Sequence, residues 1–205
     1  LKARSNETFL PLFFDQHRHL VLKGGGGSGK SIFAGDKVLE RVTSEPGHRF
    51  LVCRKVDKSL RQSCFKQLCD QSRKYYAEHI DYIPKGASCE MYIRFKNGSE
   101  IIFSGLDNVE KLKSIYNITG IWIEEASEVT EDDFDQLDIR LRGESKYYKQ
   151  IILSFNPIYI THWLKRRFFD RKDERVRIHE STYKDNRFLP EEDRLTLEAY
   201  KETNP

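Results

Sequence analysis

One stretch, LVLKGGGGSGKSIF over residues 20–33, constrains what this chain can fold into more than any other. Four successive glycines and Ser-Gly-Lys-Ser lie between an apolar run (19–23) and a segment (31–42) that places Ile32, Val38, Leu39 and Val42 near one helical face. Glycine loses more conformational freedom on folding than any other residue, so a cluster of them needs a reason. A flexible linker is a poor one, because linkers do not sit between a buried strand and an amphipathic helix. Gly24-Gly25-Gly26-Gly27-Ser28-Gly29-Lys30-Ser31 fits the pattern G-x-x-x-x-G-K-[ST], in which backbone N–H groups wrap a phosphate chain that side chains would hold at a distance. The helix that follows turns its positive end toward the anion. Lys30 then reaches the outer phosphates and the Ser31 hydroxyl serves a Mg²⁺ ion.

The rest of the chain alternates short apolar runs with helical stretches. RFLVCRK (49–55) reads as a second strand and 59–76, opened by Ser59, as a helix. MYIRFKNGSEIIFSG (91–105) reads as a hairpin, since Asn97-Gly98 between two alternating runs suits a tight turn. ITGIWIEEA (118–126) is an apolar strand running into two acids, QIILSFNP (150–157) is a strand stopped by Asn-Pro, and RVRIHEST (175–182) is the last. Strands separated by helices predict a mostly parallel α/β sheet with helices on both faces and the hairpin as an insertion. Such sheets bind ligands beyond the carboxyl ends of their strands. The glycine run, Glu124-Glu125 and Ser154-Phe155-Asn156 all fall there.

Adjacent acids at a strand end suit phosphate-ester hydrolysis. Glu124 is placed to support the metal and Glu125 to polarise the attacking water as general base. Ser154 or Asn156 is in position to hydrogen-bond the γ-phosphate or that water, although Asn-Pro also simply ends a strand. Hydrolysis further needs a positive charge on the transferred phosphoryl group, for which Arg54, Lys113, Arg140 and Arg142 are candidates. HWLKRRFFDRKDER (162–175) reads as an amphipathic helix with Trp163, Phe168 and Phe169 partly buried, in preference to a nucleic-acid contact. Trp122 reads as core.

Bulk properties set outer limits. A chain of 205 residues buries a sizeable core without covalent staples. A net charge of +3 excludes a simple cationic tail. Cys53, Cys64, Cys69 and Cys89 show neither Cys-x-x-Cys nor zinc-type histidine spacing, which predicts reduced thiols of a cytosolic protein. No apolar run approaches the ~20 residues of a membrane helix, and a secretory leader is not expected.

VLKGGGGSGKS, FLVCRK with SLRQS, FSGLDNVEKLKS, ITGIWIEEASE, RLRG, ILSFNP and STYKDNRFLP succeed one another in a familiar order. Over nearly its whole length the chain resembles the ATPase domain of tailed-phage large terminase subunits. The resemblance implies a three-layer α/β phosphate-loop NTPase of the ASCE type, with a mostly parallel central sheet, a β-hairpin insertion and a small C-terminal lid. The core would cover residues 1–160, and 161–205 would be the lid and the start of a linker to a nuclease domain. It implies an ATP- and Mg²⁺-dependent motor that drives double-stranded DNA into a procapsid. Such a motor self-associates as a ring on the portal protein, works with a small terminase subunit in the host cytoplasm, and involves no membrane.

For the site, the resemblance implies nucleotide contacts from Gly24 through Ile32 (Gly24, Gly25, Gly26, Gly27, Ser28, Gly29, Lys30, Ser31, Ile32), from Asn156, and from Gln16 near Phe13 at the adenine. It implies metal contacts from Ser31 and Glu124, and catalytic roles for Glu125, Lys30, Lys113 and Arg142. Ser154, Phe155 and Asn156 match the motif that couples hydrolysis to DNA movement. Gly26 stands where many relatives carry arginine, so the compensating charge must come from elsewhere. The chain is expected to be a fragment that hydrolyses ATP and does not cut DNA. A phosphate-loop kinase, a helicase-like DNA translocase and a nucleotide-gated assembly module are the rival readings.

Overall fold

The computed structural model describes residues 5–86, 89–107 and 115–203, with side chains in the last helix as far as residue 199. Its strands are β1 (His19–Gly24), β2 (Arg49–Arg54), β3 (Ile80–Tyr82), β4 (Tyr92–Phe95), β5 (Glu100–Gly105), β6 (Gly120–Glu124), β7 (Gln150–Phe155) and β8 (Val176–Ser181). They form one sheet in the order β3-β4-β5-β2-β6-β7-β1-β8. From β5 to β8 every neighbouring pair is parallel. The expected hairpin is present: β4 runs antiparallel to β5, Gly98 takes φ +82° in the turn, and β5 then pairs in parallel with β2. β3, which pairs antiparallel with β4, is an addition to the sequence reading. It is three residues long, Ile-Asp-Tyr, and too short to show a period.

Among the described residues the helices are α1 (Lys30–Ser44), α2 (Asp57–Leu60), α3 (Lys66–Tyr75), α4 (Glu131–Arg140) and α5 (Glu191–Thr203). The helix expected over 59–76 is interrupted by a π turn, Arg61–Phe65. One added residue in a turn rotates the downstream face. Here Gln67 Nε2 donates to the Ser31 carbonyl at 2.9 Å and Gln71 Nε2 to Asp36 Oδ1 at 2.7 Å, tying α3 to the first turns of α1. The amphipathic helix expected over 162–175 is much shorter. A π turn, Lys165–Phe169, closes it after the last aromatic, because residues 170–175 offer only charged side chains with no apolar face to bury. Leu164 and Phe168 are buried there, and Trp163 packs on Phe134 of α4. α4 itself starts at a capping box in which the side chains of Thr130 and Asp133 each accept from the other's backbone N–H.

Two hydrophobic layers sandwich the sheet. One joins the 3-10 helix Glu7–Phe14, α1 and α3 to Leu20, Leu22, Val52 and Trp122. The other joins α4 and the 164–168 segment to Val21, Ile121, Ile123 and Leu153. Strand side chains alternate between faces, so Trp122 enters the first layer while Ile121 and Ile123 enter the second. All of β6 and β7 is buried, which is why both read as continuous apolar runs. The four cysteines are free thiols, three of them buried. Among the described residues no helix is long and apolar enough to cross a membrane.

Candidate nucleotide site

The loop between β1 and α1 requires glycine for different reasons along its length. Gly27 and Gly29 lie at φ +75° and +86°, where a Cβ is strained. At Gly24 a Cβ would stand 2.5 Å from the Ser181 carbonyl of β8, the strand that pairs with it. Gly25 and Gly26 have neither constraint: their φ is not positive, and a Cβ there meets nothing within 4 Å. α1 begins at Gly29 with no side-chain cap, which leaves its first N–H groups for an anion.

Three distant segments meet at this helix end. Lys30, only 6 % exposed, donates from Nζ to Asn156 Oδ1 at 2.8 Å and to the Gly25 carbonyl at 3.4 Å. Ser31 Oγ donates to Glu124 Oε1 at 2.8 Å. Ser154 Oγ makes a close hydrogen bond to the other oxygen, Glu124 Oε2, and accepts from Trp122 Nε1 at 2.9 Å. The register of the parallel pair β6–β7 sets Glu124 opposite Ser154. Ser154 therefore faces Glu124, and Asn156 is the residue that meets the lysine.

Burial controls the charges. It pulls the Lys30 ammonium below its ordinary pKa, against the pull of Glu124 and Glu125. It pushes the Glu124 carboxyl up, against hydrogen bonds from Ser154 and Ser31. Both groups are thus poised for an incoming charged ligand that would replace the lost water. Glu125 leaves the strand in the left-handed region at φ +51°, ψ +51°, a conformation that costs a non-glycine residue about 1–3 kcal/mol. The kink sends Glu124 and Glu125 in different directions from consecutive positions. The donor set fits Mg²⁺: a hydroxyl and a carboxylate, both hard oxygen donors, with phosphates and water left to complete the shell. Among the described residues no group of three or more His, Cys, Asp or Glu side chains forms a self-sufficient metal cage.

The other expected residues divide. Ile32 lies partly exposed on the first turn of α1. It lines a cavity of about 330 Å³ with Ser5, Asn6, Gly29, Asn186 and Phe188. Gln16 is exposed and does not line this cavity, and Phe13 is buried edge-on to Phe33. Sequence reading missed Asn6, Asn186 and Phe188. Asn6 Nδ2 donates to Asn186 Oδ1 at 3.0 Å, and Asn186 Nδ2 donates to the Gly27 carbonyl at 2.7 Å. No local signal marks a pair 180 positions apart, although STYKDNRFLP contains two of the three residues.

Among the candidate cations, Lys113 lies outside the described residues. Arg142 lies at the wrong edge for action within one copy. Its neighbour Gly143 donates to the Ile118 carbonyl, two residues before β6, and six residue steps that include the whole of β6, at about 3.3 Å per strand residue, separate that point from Glu124. Arg140 closes α4 and belongs to the same edge. Arg54 is the cation brought near the acids: Cys53 pairs with Ile123, so Arg54 ends β2 beside Glu124. Its guanidinium lies 3.6 Å from Glu128 and donates to Ser63 Oγ at a long 3.4 Å. A larger cleft of about 820 Å³, lined by Arg166, Arg171, Lys172 and Arg175 among others, includes neither the loop nor the paired acids.

A glycine loop opening an uncapped helix, a lysine and a hydroxyl on its first turn, and an acid pair at the carboxyl edge of a parallel sheet define a phosphate-loop NTPase domain. A family model described as phage terminase large subunit matches residues 16–205, and the chain belongs to that family. It is 34% identical over 214 residues to the PBSX phage terminase large subunit of Bacillus subtilis (strain 168), covering 93% of this chain and 47% of that protein. It is 34% identical over 150 residues to the terminase large subunit of Bacillus phage SPP1, covering 67% of this chain and 35% of that protein. The chain thus spans about half the length of these relatives or less. The large terminase of a thermophilic bacteriophage has the same fold, with a TM-score of 0.79 at 16% identity, covering 95% of this chain and 50% of that one. The structure of that protein in complex with ADP gives 0.78 at the same identity, covering 95% and 49%. The expected mostly parallel three-layer architecture with its hairpin is therefore the observed one.

Proposed function

We propose that the chain is the ATP-hydrolysing motor part of a terminase large subunit, which moves double-stranded DNA into a procapsid. The observation that carries the reading is the meeting of Lys30, Ser31, Glu124 and Asn156 in one hydrogen-bonded cluster at the loop. ATP lies with its β- and γ-phosphates against the N–H groups of residues 25–31, and Lys30 turns from Asn156 toward them. The base enters the cavity beside Ile32 and Phe188, against the hydrogen-bonded pair Asn6 and Asn186. Ser31 would hold a Mg²⁺ ion and Glu124 would support it, and such an ion would supply neutralising charge to the phosphates. Glu125 takes a proton from water as its oxygen bonds to the γ-phosphorus. The bond from that phosphorus to the bridging oxygen breaks, and ADP and phosphate leave. Asn156 is freed or recaptured by Lys30 as the γ-phosphate comes and goes.

Arg54 supplies the extra positive charge from within the chain, while Arg142 acts, as does Lys113, on the nucleotide of a neighbouring copy in a ring. The segment after β8, from residue 182, serves as a lid, whereas β8 and the 164–168 segment, which fall within the span 161–205 expected for it, pack as part of the core. In the lid, Asn186 holds the Gly27 carbonyl, and Leu189 and Leu197 lie where a Gly27 Cβ would touch them. Docking on a portal protein, cooperation with a small subunit and a host-cytoplasmic setting complete the proposal.

The test is phosphate release with and without double-stranded DNA over a range of protein concentrations, with Glu125→Ala beside the parent. The expected result is hydrolysis that rises with DNA and with concentration, and a variant that binds a fluorescent ATP analogue but does not turn it over. Unchanged turnover in Glu125→Ala removes that residue from the role, and hydrolysis indifferent to DNA removes the motor.

A further inference from the structure

Trp122 looks like core on every local criterion: it is fully buried in the middle of an apolar strand. Packing alone needs only a large apolar side chain here. The indole adds one polar group, an N–H that only donates. Buried without a partner, that group would be destabilising. Its partner is the Ser154 hydroxyl, 2.9 Å away and also fully buried.

The sheet geometry extends this contact to Glu124. Trp122 and Glu124 are two apart on β6 and share a face, and the β6–β7 register sets Ser154 directly beside Glu124. The Ser154 oxygen therefore has the indole N–H on one side and the carboxylate on the other. A hydroxyl has one proton. With a lone pair engaged by Trp122, that proton is directed to Glu124 Oε2, leaving Oε1 to Ser31. With Glu124 only 8 % exposed, water has little access to substitute for either donor.

We infer that Trp122 is a positioning residue for the metal side of the site: its indole N–H orients the Ser154 hydroxyl, which in turn fixes the Glu124 carboxylate toward Ser31 and a bound divalent cation. The inference rests on the assignment of Glu124 and Ser31 to Mg²⁺. Trp122 touches neither nucleotide nor metal, so it acts only through Ser154.

The experiment reads the indole directly. In ¹⁵N–¹H spectra of the whole chain, the Trp122 Nε1–H resonance is followed in Glu124→Gln and Ser154→Ala, and in the parent with ADP before and after Mg²⁺. Trp163, whose indole donates to the Val129 carbonyl instead, is the internal reference. Both substitutions and the addition of Mg²⁺ are expected to move the Trp122 signal and to leave that of Trp163 in place. Trp122→Phe keeps an aromatic ring in the core, removes the donor and leaves a small cavity where the five-membered ring stood. It is expected to raise the Mg²⁺ concentration for half-maximal binding of a fluorescent ADP about 3- to 10-fold, the range one hydrogen bond supports, with little change in affinity without metal. On a Ser154→Ala background the same change is expected to add less than about twofold, because the interaction is already gone. A Trp122 signal indifferent to Glu124→Gln, or a full additional effect of Trp122→Phe in the double variant, overturns the relay while leaving nucleotide binding intact. Loss of metal-dependent ADP binding in the parent overturns the relay together with the site assignment.

Discussion

The two kinds of glycine in the loop give a prediction with opposite signs a few residues apart. In Gly24→Ala the new methyl would stand 2.5 Å from the Ser181 carbonyl, 2.7 Å from Ser181 Oγ and 2.9 Å from Ser28 Oγ. The nearest atom is backbone in a paired strand, so β8 has to move off β1. Overpacking of this kind destabilises by about 1–3 kcal/mol. In Gly26→Ala the methyl meets nothing and φ is not positive, so the loss of unfolded-state freedom dominates and stabilises by about 0.4–1 kcal/mol. For a domain of this size each kcal/mol moves Tm by about 2–4 °C. Nucleotide-free Gly24→Ala is therefore expected to melt roughly 3–16 °C below Gly26→Ala, with the parent between them. Differential scanning calorimetry of the three proteins without nucleotide isolates the packing effect from binding. Equal melting temperatures for the two variants, or the reverse order, would falsify the account of why each glycine is there.

Three further outcomes rest on the same geometry. Replacing Glu125 by Asn, which tolerates the left-handed region better, is expected to stabilise the nucleotide-free protein by about 1 kcal/mol while phosphate release falls at least about 10²-fold; a variant that turns over normally would contradict the base assignment. Arg54→Ala is expected to lower turnover about 10²-fold or more with nucleotide affinity nearly unchanged, and normal steady-state turnover would place the extra charge in another copy. Asp36, on the base side of α1, is pushed up to about 6 by burial, despite hydrogen bonds from Ser5 and Gln71. The fold then binds a proton that the unfolded chain has released, so this carboxyl favours the fold below about pH 4, and that contribution is lost as pH rises to about 6. Urea unfolding of the parent and Asp36→Asn across that window is expected to show the parent losing up to about 3 kcal/mol more than the variant, and parallel profiles would refute the linkage.

Much of the architecture was legible along the chain because it depends on neighbours in sequence. Apolar runs mark β1, β6 and β7, since strands covered on both faces have no polar side to show. Asn97-Gly98 announces its hairpin through backbone preference alone. The glycine run, Lys30 and Ser31 announce a phosphate loop because backbone access and spacing within one turn are local demands. The two π turns were not legible, because one added residue in a helical turn leaves no mark in local propensity or periodicity. The helix over 162–175 reads too long from sequence because the charged residues at its end pass for an exposed face when no buried face accompanies them.

What the sequence by itself determined, then, was the set of strand ends and the chemistry each carries: bare main chain, lysine, hydroxyl and two acids. Only the tertiary structure decided who faces whom. The β6–β7 register aims Ser154 at Glu124 and gives Trp122 a polar task, while Asn156 meets Lys30. The order of strands brings Arg54 beside the acids and leaves Arg142 at the far edge. Residues near the two ends of the chain, Asn6 and Asn186, close the cavity beside the loop, and Gln16 lies outside it. The physical reason is the same each time: propensity and spacing act over a few residues, whereas these contacts are set by hydrogen-bond register and packing between segments that no local pattern relates.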